Sequence, residues 1–214
     1  MTKINPLIST KNLVNDDKSK KRNKQGENSD DVMHEFYLAT GYKEFSTRLN
    51  SLEQNKHYTF VTFGQWSLKH VVFHLIKLIG SCDIYSTTYG LGPSSARGIV
   101  SSLKSGMISS FHFLYDWKIK TYKVEAHDIC SVNFPVKLAN IHAKVTVLLN
   151  DSWGISITGS ANWSDTNNKI ETTIISTNRD LAEFHKNWIL AAMDTSSTEP
   201  KKILKEINES GRQI

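Results

Sequence analysis

Residues 142–162 read His142-Ala143-Lys144-Val145-Thr146-Val147-Leu148-Leu149, then Asn150-Asp151-Ser152-Trp153, then Gly154-Ile155-Ser156-Ile157-Thr158-Gly159-Ser160-Ala161-Asn162, with Glu171 further on. The first run is apolar or β-branched from Val145 to Leu149, as a strand prefers. The four residues after it carry turn chemistry. Ile155 to Asn162 then reads as a second strand. Side chains alternate across a strand with a period of two. His142, Lys144 and Thr146 therefore share one face, and Ser156, Thr158, Ser160 and Asn162 share a face of the return strand.

A symmetric hairpin centred on Ser152 sets Lys144 opposite Ser160 and His142 opposite Asn162. Opposed side chains lie roughly 5 Å apart at Cβ. The pattern thus predicts four polar groups on one sheet face, in a register that a slip of one residue would undo. An imidazole, a fixed cation, hydroxyl and amide donors and a carboxylate within thirty residues suffice, as chemistry, to break a phosphodiester without a metal.

At these residues the chain resembles the phospholipase D superfamily. The family pattern is His-x-Lys, four residues, Asp, then Gly-Ser-x-Asn or Gly-Ser-x-x-Asn, with a Glu further on. His142, Lys144, Gly159, Ser160, Asn162 and Glu171 match it. The chain departs at Leu149, which stands where the family has its Asp; Asp151 lies two residues later, in the expected turn. The resemblance implies catalytic roles for His142, Lys144, Ser160, Asn162 and Glu171. One imidazole attacks phosphorus, and a second protonates the leaving oxygen and then activates water. Lys and Asn hold the non-bridging oxygens, and the Glu orients the imidazole. No second His-x-Lys occurs, so the resemblance implies a two-fold homodimer that builds one site from two chains. No cofactor and no metal are implied.

Outside the motif, Tyr58 to Phe63, Asp83 to Thr88 and Ile108 to Tyr115 read as strands. Trp66 to Leu78 and Ser94 to Ser105 read as helices, the second opened by Gly92-Pro93 and closed by Gly106. Val32 to Leu52 holds one or two helical turns, and Asp116 to Leu138 reads as a loop with a short helix. Glu171 to Ser176 is a further strand and Arg179 to Ala192 a helix. The order predicts an α/β fold: a mixed, largely parallel sheet flanked by helices on both faces, as in a phospholipase D-like half-fold. Residues 34–195 form the expected domain, between a flexible polar tail at 1–33 and a polar tail or frayed helix at 196–214.

Composition narrows the function. The chain has 214 residues and a net charge of +5. The excess is spread out: residues 34–195 hold fifteen Lys or Arg against thirteen Asp or Glu. Lys18 to Lys24 is the one dense basic cluster in the tail. No run of eighteen apolar residues exists, so no membrane span is expected. The opening residues lack a signal-type apolar core, and Cys82 and Cys130 read as free buried thiols. No Cys/His spacing suggests zinc; His70 and His74 lie four apart, but among apolar neighbours. Trp153 and Trp163 are read as cover for the hairpin, and Asp116 as a cap. The expected protein is a cytoplasmic phosphodiesterase, a nuclease acting on DNA or RNA through a phosphohistidine at a homodimer interface. The alternative is a degenerate relative that binds nucleic acid or a protein partner without turnover.

Overall fold

A computed structural model describes residues 33–39, 41–164 and 168–211. The N-terminal tail expected at 1–33 thus falls outside the described residues, except Met33. The described chain forms eight strands and seven helices. In order they are β1 (Met33–Ala39), α1 (Tyr42–Arg48), β2 (Lys56–Phe63), α2 (Leu68–Ile79), β3 (Cys82–Thr88), α3 (Pro93–Lys104), β4 (Ile108–Asp116), α4 (Lys118–Tyr122), α5 (Val124–Ser131), β5 (Val136–Ala139), β6 (Val145–Leu149), β7 (Gly154–Gly159), β8 (Ile170–Ser176), α6 (Arg179–Met193) and α7 (Pro200–Glu209).

All eight strands join one sheet in the order β1-β2-β8-β7-β6-β3-β4-β5. The α/β class is as expected; the largely parallel pairing is not. The β1/β2, β3/β4 and β4/β5 pairs are parallel, whereas β2/β8, β8/β7, β7/β6 and β6/β3 are antiparallel. The reason is local. The β6-β7-β8 meander has connections too short for a crossover, so its strands must alternate in direction, and it sits in mid-sheet. Six strands nevertheless point one way, with only β6 and β8 reversed. One edge of the sheet therefore collects the C-terminal ends of β2, β3, β4 and β7 and the starts of β6 and β8.

The helical turns expected within Val32 to Leu52 are α1, and a strand, β1, precedes them. Glu35, Tyr37 and Ala39 fall in register with Tyr58, Phe60 and Thr62 of β2, a period of two, while buried Phe45 and Leu49 stand one turn apart. Asp116 to Leu138 resolves into α4, α5 and β5.

The two faces carry separate cores. Strand β6 is buried along its whole length because both of its faces are covered, and so it reads as a continuous apolar run. Leu148, Ile155, Ile157, Ile84, Phe111, Phe113 and Phe60 pack with Phe45, Val71, Leu75, Ile99 and Ala126 of α1, α2, α3 and α5. Val145, Val147 and Leu149 pack on the other face with Ala182, Ile189 and Ala192 of α6 and Ile207 of α7. Within 196–214, α7 is docked on this face through Ile207. Helix α6 packs across β7, β6, β3 and β4; further along that face Phe36, Phe63, Ile170 and Ile174 remain exposed. Cys82 and Cys130 are free and buried, and burial pushes both thiols up to about 12. Among the described residues no helix is long and apolar enough to cross a membrane.

Candidate functional site

The hairpin closes through Asn150. Its N–H donates to the Trp153 carbonyl at 3.0 Å, and its side-chain oxygen accepts the N–H groups of Ser152 and Trp153 at 3.0 and 2.8 Å. This local bonding centres the turn between Asp151 and Ser152. The register is therefore one residue from the symmetric expectation. Val145 pairs with Thr158, Thr146 with Ile157 and Val147 with Ser156. Thr146 and Ser156 lie on opposite faces, and the predicted row of opposed polar pairs does not form.

The sheet edge still gathers the motif. Lys144 enters the line of Gly159, and both border one small cleft with Leu68, Ile157, Thr158, Ala161 and Thr173. Gly159 is required there: a Cβ at that position would sit 2.1 Å from the Thr172 carbonyl oxygen. This close approach lets Ser160 donate its N–H to the same carbonyl at 3.0 Å, while Ser160 Oγ accepts the Thr172 N–H at 3.0 Å and donates to Glu171.

Lys144 Nζ donates to the His142 carbonyl at 2.9 Å and stands 3.4 and 3.5 Å from the two nitrogens of that imidazole. Burial lowers the Lys144 pKa below the usual amine range, and the Glu171 charge offsets part of that shift. Cation and carboxylate thus sense each other across the site, although Glu171 is hydrogen-bonded to Ser160. The exposed His142 ring lies 4.9 Å from the Tyr89 ring.

Asn162 is anchored from the neighbouring strand end. Its side-chain oxygen accepts the Tyr89 and Gly90 N–H groups at 3.2 and 3.0 Å and the Thr88 hydroxyl at 3.2 Å. An amide whose oxygen is occupied in this way presents its NH₂ as donor. The next residue, Trp163, is fully buried and donates its indole N–H to Ser86 Oγ at 2.9 Å. Its ring packs on Phe111 and Phe113 of β4 and reaches the hairpin through Ser86, which bonds Thr146.

Leu149 lies at the other end of β6, paired with Asp83 and packed in the α6 core. The strand from Val145 to Leu149 spans roughly 13 Å. The missing carboxylate therefore belongs to the far side of the sheet from Lys144.

Sequence reading missed three neighbours of the site. Thr173, two residues after Glu171 and so on its face, is buried, and its hydroxyl has no partner among the described residues; strand parity could have found it. Tyr89 follows directly on β3, and Lys118 lies 5.7 Å over its ring; no motif marks either. The pair His70 and His74 goes to structure. His70 completes a capping box with Ser67, and His74 packs on Tyr42 and Phe45.

Comparison of the chain with protein-family models and with curated sequences finds no match. Among solved structures it is similar to the polyphosphate kinase of Porphyromonas gingivalis, at 16% identity and a TM-score of 0.48, over 64% of this chain and 27% of that one. It is also similar to TrmBL2, an archaeal chromatin protein with a novel mode of DNA binding, at 8% identity and a TM-score of 0.45, over 73% and 58% of the two chains. The chain thus spans about a quarter of the kinase's length. At these identities and scores neither likeness extends to substrate or activity.

Proposed function

We propose that the chain is a phospholipase D-like phosphodiesterase, a nuclease that cleaves DNA or RNA without a metal. The observation that carries this reading is the convergence of His142, Lys144, Ser160, Asn162 and Glu171 on one sheet edge from three separate strand ends. The position of Leu149 supports it, because the residue that departs from the family pattern lies away from the reacting groups.

The roles follow from the chemistry of each group. A nitrogen of His142 attacks phosphorus, the bond to the leaving oxygen breaks, and a phosphohistidine forms. The second imidazole comes from His142 of a second copy. It gives its proton to the leaving alkoxide, then takes one from the water that releases the phosphate. Lys144 and the Asn162 NH₂ hold the non-bridging oxygens as charge develops on them. Glu171, fixed by Ser160, balances the positive charge of the site.

The test is cleavage of single-stranded and duplex DNA and of RNA in EDTA. Wild type is expected to cleave and His142→Ala to lose all activity, with an acid-labile, base-stable phosphate trapped on the wild-type chain. Equal residual activity in the two proteins refutes the reading. Tight binding with no turnover and no trapped phosphate would leave a binding protein instead.

A further inference from the structure

Beside His142 the surface changes character. Strand β4 ends at Asp116, and the chain continues Trp117-Lys118-Ile119-Lys120-Thr121-Tyr122-Lys123. Ile119 is buried and anchors the turn. The residues around it are not buried: Trp117 is 45% exposed, Tyr122 74% and the adjacent Tyr89 38%. Large aromatic rings left in water on an anchored turn are unusual, since each could bury far more area.

Cations are threaded between these rings. Lys118 Nζ stands 5.7 Å from the Tyr89 ring centre and 6.0 Å from that of Trp117. Lys144 Nζ approaches Tyr89 from the site side, at 5.8 Å. No salt bridge holds Lys118, Lys120 or Lys123 among the described residues, and the nearest following carboxylate, Glu125, is engaged by Arg97. Asp116 is buried and spends both oxygens on backbone N–H groups, those of Lys118 and Ile141. Tyr89, Trp117 and Lys118 thus form a ledge of positive charge and open aromatic faces beside His142, and the short helix that follows leaves Lys120, Tyr122 and Lys123 exposed beyond it.

We propose that this ledge binds a single-stranded polynucleotide, stacking its bases on Trp117, Tyr122 and Tyr89 while Lys118, Lys120 and Lys123 track its phosphates. The inference rests on the phosphodiesterase reading, because it leads the strand to the His142 site. A ring stacks on any base whose face is free, so the ledge selects unpaired strands and tolerates any sequence. Duplex bases are already stacked on one another and offer these rings nothing. A surface built only for duplex backbone would need the lysines but not the aromatics.

The experiment measures binding on the full chain carrying His142→Ala, so that the probe survives, and hydrolysis on the chain with His142 intact. The probes are a labelled oligothymidylate, an abasic strand of equal length and a hairpin duplex; the small substrate is bis(p-nitrophenyl) phosphate. Trp117→Ala is expected to weaken oligothymidylate binding by roughly tenfold or more, and Trp117→Phe to restore most of it. Tyr122→Ala is expected to act in the same direction. The abasic strand should bind the unsubstituted ledge at least as weakly as oligothymidylate binds to Trp117→Ala. Equal affinity for oligothymidylate and the abasic strand, or full binding by both alanine variants, overturns the ledge even if the diester is hydrolysed. Base-dependent binding that Trp117→Ala abolishes, in a chain that never hydrolyses the diester, upholds the ledge and refutes the catalytic reading.

Discussion

Asp116 Oδ2 accepts the backbone N–H of Ile141 at 3.3 Å, across the gap between the end of β4 and the loop that leads to His142. Its other oxygen accepts the Lys118 N–H at 3.0 Å. One buried carboxylate therefore fixes the residue before His142 and the turn that carries the aromatic ledge. Removing it leaves two backbone donors without their partner. Asp116→Ala is expected to destabilise the fold by about 1–3 kcal/mol and to reduce turnover further by loosening the His142 loop. Asp116→Asn keeps one good acceptor and should fall between the two. Urea unfolding midpoints compared across the three proteins check this order; equal midpoints for wild type and Asp116→Ala would refute the role.

Trp163 joins the motif to the core through its indole. The N–H donates to Ser86 Oγ, which also meets Thr146 Oγ1 at 2.7 Å and the Val145 carbonyl at 3.2 Å. Trp163→Phe removes that donor and leaves space among Phe111 and Phe113, whose rings pack on it. The expected loss is about 1–3 kcal/mol, from one buried hydrogen bond and a small cavity. Equilibrium denaturation measures it. A change in stability well under 0.5 kcal/mol would contradict the packing.

These two contacts mark what the sequence does and does not encode locally. Elements with a clean period were readable: β2, β3, β4, α2, α3 and α6 all lie close to their expected bounds. The motif itself was legible because its residues meet at strand ends, which depend on topology more than on register. The register was not legible. It turns on where Asn150 bonds within its own loop, and a symmetric turn looks equally good on paper. The predominance of antiparallel pairing also escaped, because strand order is a long-range property that β8 settles by inserting between β2 and β7. The aromatic ledge escaped for a related reason. Tyr89 and Trp117 are far apart in sequence and become neighbours only because β3 and β4 are adjacent and parallel.

Thr173 offers a test of an unusual kind. Its hydroxyl is buried on the Glu171 face without a partner among the described residues, beside the cleft that Lys144 borders. A buried hydroxyl without a hydrogen bond costs free energy. Thr173→Val keeps the shape and removes the hydroxyl, so stability is expected to stay equal or to rise by about 1 kcal/mol. Thermal unfolding without ligand reads this directly. A loss above about 1 kcal/mol would mean that the hydroxyl is bonded in the folded chain after all.

Lys144 gives the site a pH dependence whose sign can be worked out. Burial disfavours the ammonium, so its pKa lies below the ordinary lysine value, and Glu171 pulls it part of the way back up. Transition-state stabilisation needs the charged form. As pH rises through the Lys144 pKa the charge is lost, and kcat/KM for a small phosphodiester falls. Because that pKa is lowered, the fall begins at a lower pH than an ordinary exposed lysine would give. Glu171→Gln removes the charge that supports the ammonium, so its alkaline limb should move to still lower pH, in addition to any loss of rate. Lys144→Arg carries a cation that does not titrate in this range, so its limb should flatten even though its planar head group fits less well and turnover drops. The pH profiles of the three proteins decide the matter. An alkaline limb that stays in place in both variants would assign it to another group and remove Lys144 as the cation that meets the phosphate.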